Sequence, residues 1–173
     1  MPTTKGASGK GGAQKEAGVT ADADALFQLP LSEFTAARNA LASRLKKAGQ
    51  PDEAELVKAL AKPSFSAWVV NQLYWRHRDA FDRVLDAGEH FRKAQAAQLS
   101  GKSGDLPETL GARRTALAGL SRLAAGVVRD AGHTASPDTM RRITTTLEAL
   151  SVYGSLAEAP PAGRLTDDVD PPG

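Results

Sequence analysis

The sequence predicts an all-α fold: a single bundle of five to six helices around one central apolar helix, with disordered tails. Three observations carry this expectation. Apolar residues recur at helical spacing from Phe34 to Leu150. Proline, glycine and serine punctuate the chain where one helix must stop and the next begin. The stretch at residues 62–77, KPSFSAWVVNQLYWRH, is apolar on more than one face. A helix of that kind has to be wrapped by others.

Residues 1–24 form the first segment, rich in Gly, Ala, Ser, Thr and Lys, with Val19 the only large apolar residue between Met1 and Leu26. Such a segment buries too little surface to offset its ordering entropy, so a disordered basic leader is expected. The bundle domain is expected over residues 25–150. Its first helix spans about residues 32–48, with Phe34, Ala37, Leu41, Leu45 and Ala48 in one stripe and Gly49 as the stop. Pro51 opens the second, which turns Leu56, Val57 and Leu60 inward and carries Asp52, Glu53 and Glu55 near its positive end.

Lys62-Pro63-Ser64 separates that helix from the central one, about residues 65–76, and Ser64 is its N-cap. The fourth helix covers about residues 79–99, with Phe81, Val84, Leu85, Gly88, Phe91 and Gln95 on one face. Gly88 sits inside that face at about 1 kcal/mol below alanine in helix propensity, which predicts close approach of a neighbouring helix. A loop at residues 100–105 leads to a fifth helix over about residues 107–131, with Leu110, Leu117, Leu120, Leu123, Val127 and Val128 inward. Ser136-Pro137 starts the sixth, along which Met140, Ile143, Leu147 and Leu150 repeat. Residues 151–173 are rich in Pro, Gly and Asp and are expected to form an extended acidic tail.

The bulk numbers set limits. A length of 173 residues suits one domain. The hydrophobic fraction is 41%, but aromatics are only 5%, so the core is expected to be thin and closely packed. There is no cysteine, hence no disulfide or thiolate–metal site, which points to the cytoplasm. No secretory signal and no run of about 20 apolar residues is seen, so no membrane span is expected. The net charge is +2, distributed from a basic leader to an acidic tail.

The patterns LSEFTAARNALASRL, LAKPSFSAWVVNQL, HFRKAQAAQLSG and GRLTDDVDPPG together resemble a bacterial all-helical family of unknown function, frequent among actinobacteria. The resemblance covers about residues 29–172. It rests on Lys62-Pro63-Ser64, Ala67-Trp68 and the pair Asn71-Gln72. It implies a helical fold and brings no activity. It also implies that a charged, coiled-coil-like region follows the final PPG in the longer protein.

Four side chains on the central helix are candidates for binding a partner: Trp68, Asn71, Gln72 and Trp75, all within about 100° of one another. An amide pair bracketed by indoles can stack a base or bond a partner's backbone. It can equally satisfy backbone groups inside the core. Asp82, Asp86, Glu89 and His90 cluster on the fourth helix, but on the side away from its apolar stripe and beside i,i+4 cations. They read as a solvated ion-paired face rather than a metal site, and no metal or cofactor is expected. Gly101-Lys102-Ser103 lacks the earlier glycine and the strand of a phosphate-binding loop. His77, His90 and His133 have no hydroxyl placed beside them, so no catalytic residue is assigned.

The basic residues Arg114, Arg122, Arg129, Arg141 and Arg142 are candidate phosphate contacts. Arg113 points toward the apolar face and is expected to snorkel or pair with a buried acid. The function expected is thus a non-catalytic helical interaction module that binds a protein partner or itself. That reading predicts an exposed apolar patch around Phe65, Tyr74 or Trp75. The alternative is a nucleoid- or RNA-associated protein that uses its basic helix faces and the lysines of the leader.

Overall fold

A computed structural model describes residues 9–102, 104–154 and 156–172, with side chains described from Gly18 onward. Among these residues the chain is all-helical, with seven α-helices and no strand. They are α1 (Gly9–Leu26), α2 (Phe34–Lys47), α3 (Pro51–Lys58), α4 (Phe65–Arg76), α5 (Arg78–Leu99), α6 (Leu106–Asp130) and α7 (Pro137–Tyr153). A short 3-10 turn, Leu31–Glu33, precedes α2.

The expected single bundle is corrected: the chain divides into two compact units, Met1–Lys62 and Pro63–Gly173. The proline stop at residue 63 therefore separates two cores as well as two helices. In the first unit, Leu26, Phe27, Phe34, Leu41, Leu45 and Val57 form one buried cluster. The leader is corrected too, because residues 9–26 are helical; residues 1–8, and the side chains of its lysines, lie outside the described residues. Alanine-rich sequence costs little to coil. Val19, Ala23 and Leu26, three and four apart, give that helix an inner edge, and Asp22 meets Arg44 at 3.4 Å. Leu56 was expected inside but is 72% exposed, since Ala54 and Val57 already fill the inner face of the short α3.

In the second unit α4 is the central helix. Every residue from Ser66 to Leu73 is buried, and α5, α6 and α7 all pack against it. Ser64 caps it, accepting from the amide of Ala67 at 3.3 Å, and Ser136 caps α7 in the same way. Gly88 does mark a close approach: a Cβ there would fall on the carbonyl oxygen of Ser151 in α7, with its carbonyl carbon at 2.9 Å. Arg92, one turn further along α5, donates to the carbonyls of Ser151 and Val152 at 2.5 and 2.8 Å and so caps the negative end of α7.

The expected acidic tail is also corrected. α7 runs on to Tyr153, and the segment after it folds back onto α4, with Gly163 and Leu165 buried. Residues 163–169, hereafter the closing segment, complete the second unit.

Candidate functional site

Two of the four residues singled out on α4, Asn71 and Trp75, are occupied by the closing segment. The Asn71 side chain reads the backbone of Leu165 on both edges: its amide donates to the Leu165 carbonyl at 2.8 Å, and its oxygen accepts from the Leu165 amide at 2.8 Å. Trp75 Nε1 donates to the carbonyl of Gly163 at 3.0 Å. The amide of Ser64 donates to the carbonyl of Thr166 at 2.9 Å. The Ser66 hydroxyl donates to the Asp168 carboxylate, and the Val169 amide to Thr146 Oγ1 at 3.1 Å. Gly163 has φ +79°, and a Cβ there would stand 2.8 Å from Tyr74 Cε1 and 2.9 Å from Trp75 Cε2. Only glycine lets the backbone pass so close to the two rings.

The reading of Trp68, Asn71, Gln72 and Trp75 as a partner-binding set is therefore corrected. Trp68, Asn71 and Gln72 are buried, and Gln72 donates to the carbonyl of Trp68 at 3.2 Å. Asn71 spends its hydrogen bonds on one buried peptide unit, as an amide in a core does. Where an exposed apolar patch was expected, Phe65, Tyr74 and Trp75 are each half-buried. Phe65 is stacked between Trp68 and His133, at 5.9 and 4.0 Å, and Tyr74 is covered by Trp75, Phe81 and the guanidinium of Arg78. The hydrogen bond to Asp82 pushes the Arg78 guanidinium up from its ordinary value.

The basic candidates separate into two sets. Arg141 and Arg142 both pair with Asp138 on their own helix, and Arg142 also lies 3.8 Å from Asp168. These two are neutralised locally. Arg114, Arg122 and Arg129 are exposed and make no ion pair among the described residues. They fall within about 80° of one another on α6. Arg113 turns inward, as expected, but its partner is the hydroxyl of Ser151 at 3.0 Å, with its guanidinium 5.8 Å from the Phe91 ring centroid. Among the described residues no group of three or more metal-binding side chains exists, and the α5 acids instead form pairs such as Glu89–Lys93 at 3.2 Å.

The feature that sequence reading missed lies between α5 and α6. An open groove of about 1080 Å³ runs along the two helices, with mostly apolar walls. Its floor is made by small side chains, Ala80 and Ala87 from α5 and Ala112, Ala116 and Gly119 from α6, with Leu120 and Leu123 beneath. A Cβ on Gly119 would meet nothing within 4 Å, so the space above it is open. The signal was present as small residues at 112, 116 and 119, spaced four and three apart. Alanine at those positions reads equally as thin core, and only the packing tells the two apart.

Charges rim the groove unevenly. Arg83 stands 16 residues before the end of α5 and Arg122 the same number after the start of α6, so both lie toward the end remote from the α5–α6 connection. Asp105 and Glu108 lie beside that connection, and Asp86 and His90 stand between on the α5 wall. None of these six makes an ion pair among the described residues.

No helix among the described residues is long and apolar enough to cross a membrane. Set against known proteins, the chain matches no family model, no curated protein and no solved structure.

Proposed function

We propose that this chain is a non-catalytic helical interaction module that binds a protein partner or another copy of itself, and that the α5–α6 groove is where it binds. The carrying observation is the groove: open, lined by small apolar side chains, and rimmed by unpaired charges. An exposed apolar surface of this kind marks an interaction site. Its elongated shape between two helices suits an amphipathic helix, laid in with anchors at helical spacing. The test is affinity capture with the native chain and with Ala116→Arg, which places a long charged side chain on the floor. The expected result is that bound protein, or the second copy, is lost with Ala116→Arg while the helical melting curve stays the same. Equal retention by both chains would overturn the reading.

A second reading has one observation in its favour. Arg114, Arg122 and Arg129 present unpaired charge on one face of α6, which is the arrangement that tracks phosphates. It requires micromolar binding to a random duplex or single strand that weakens log-linearly with salt. Absence of binding at low salt removes it.

A further inference from the structure

We propose that the occupant of the α5–α6 groove is α6 of a second copy of this chain, lying antiparallel across a two-fold axis near Thr115. The inference rests on the docking reading of the groove and names its partner. The rim charges carry it. Along α6, Asp105 and Glu108 mark one end of the groove and Arg122 the other, and Arg83 of α5 stands at the same end as Arg122.

Glu108 and Arg122 are 14 residues apart, about 21 Å along the helix. A surface that is acidic at one end and basic at the other is complementary to itself when turned end for end. Thr115, a lining residue, is the midpoint of that stretch. With the two-fold axis there, each Glu108 faces the copy's Arg122, with Arg83 and Asp105 in support. All four side chains then gain partners they lack within the chain.

The side chains between the charges fit the same placement. About Thr115, Gly111 comes opposite Gly119 of the copy, and Ala112 opposite Ala118. These two pairs, on the side of α6 centred on Thr115, are all small, and the two helix backbones can approach closely there. A Cβ on either Gly111 or Gly119 would meet nothing within 4 Å, so the isolated chain gives neither glycine a contact that excludes a side chain. Glycine inside a helix is destabilising. Within the chain Gly88 has its reason in Ser151 of α7; the copy supplies one for Gly111 and Gly119.

The mass in solution is measured first, by light scattering and sedimentation equilibrium across concentration. Twice the chain mass is expected, and a monomer up to about 1 mM overturns the inference. Charge exchange then tests the placement. Glu108→Arg and Arg122→Glu each set like charges against each other and are expected to weaken association at least about 10-fold. The double variant, which carries both changes in one chain, restores opposite charges and is expected to recover most of the loss.

Because the chain has no cysteine, single-cysteine variants give a second, geometric readout. Thr115→Cys is expected to form an intermolecular disulfide under mild oxidation. Glu108→Cys, whose copy would lie about 21 Å away, is not. A dimer in which Thr115→Cys fails to cross-link, or in which the double charge variant stays as weak as the single ones, overturns the antiparallel α6 pairing. A strict monomer that still loses a captured protein on Ala116→Arg overturns the second-copy occupant alone and leaves the docking reading standing.

Discussion

The two faces of the second unit treat their polar groups in opposite ways. Where α4 meets the closing segment, the polar groups at the contact are matched: Asn71 with Leu165, Trp75 with Gly163, Ser66 with Asp168. Along the α5–α6 groove, Arg83, Asp105, Glu108 and Arg122 stand at the rim without ion pairs among the described residues. Both faces carry the residue types that a search for a binding site favours. The difference is that one face has already bound its ligand, a stretch of its own chain. Indoles and amides in a helical sequence can thus mark a contact within the chain as well as a site.

The largest effect is expected where the matching is tightest. Asn71→Leu keeps the branching and the number of heavy atoms but leaves the buried amide and carbonyl of Leu165 without partners. Each lost partner costs about 1–3 kcal/mol, so a destabilisation of about 4 kcal/mol is expected. Both tryptophans of the chain, Trp68 and Trp75, lie in the second unit, so urea unfolding followed by their fluorescence reports on this unit. A loss below about 1 kcal/mol would mean that the closing segment is not held through Asn71.

Gly88→Ala comes next. The added methyl would fall on the main chain of Ser151, which no side-chain rotation relieves, so α5 and α7 must separate. Overpacking of this kind costs about 1–3 kcal/mol. The displacement would also pull Arg92 from the last carbonyls of α7, which puts the expected loss at the upper end, about 3 kcal/mol. Amide exchange should then accelerate at the C-terminal turn of α7 before it does in α4. Unchanged protection at that turn would contradict the close approach.

Gly88 also shows what sequence could reach. A glycine inside an apolar stripe is a local anomaly, and its explanation, a close neighbour, follows from propensity alone. The stops at Gly49 and Pro63, the start at Ser136 and the buried faces of α4 and α7 were legible in the same local way. What was not legible depends on contacts distant in sequence. Asn71 and Leu165 are 94 residues apart, and nothing in GRLTDDVD marks it as the partner of an amide on α4. The division at Lys62 was hidden because two small cores and one larger one share the same apolar periodicity. The groove was hidden because alanine carries the same letter whether it lines a core or a floor.

Gly119→Ala gives the smallest effect and the sharpest one. A Cβ at Gly119 meets nothing within 4 Å, whereas one at Gly88 meets backbone. The same substitution should therefore act with opposite sign at the two positions. At Gly119 it removes the propensity cost of glycine without a clash and should stabilise the monomer by about 0.5–1 kcal/mol, measured at low protein concentration. If a helix closes over the groove floor, the added methyl also holds it away, so association should weaken even as the fold gains. Stability rising while affinity falls would show that Gly119 is kept for what docks on it. Stability and affinity rising together would mean that nothing packs at this point of α6.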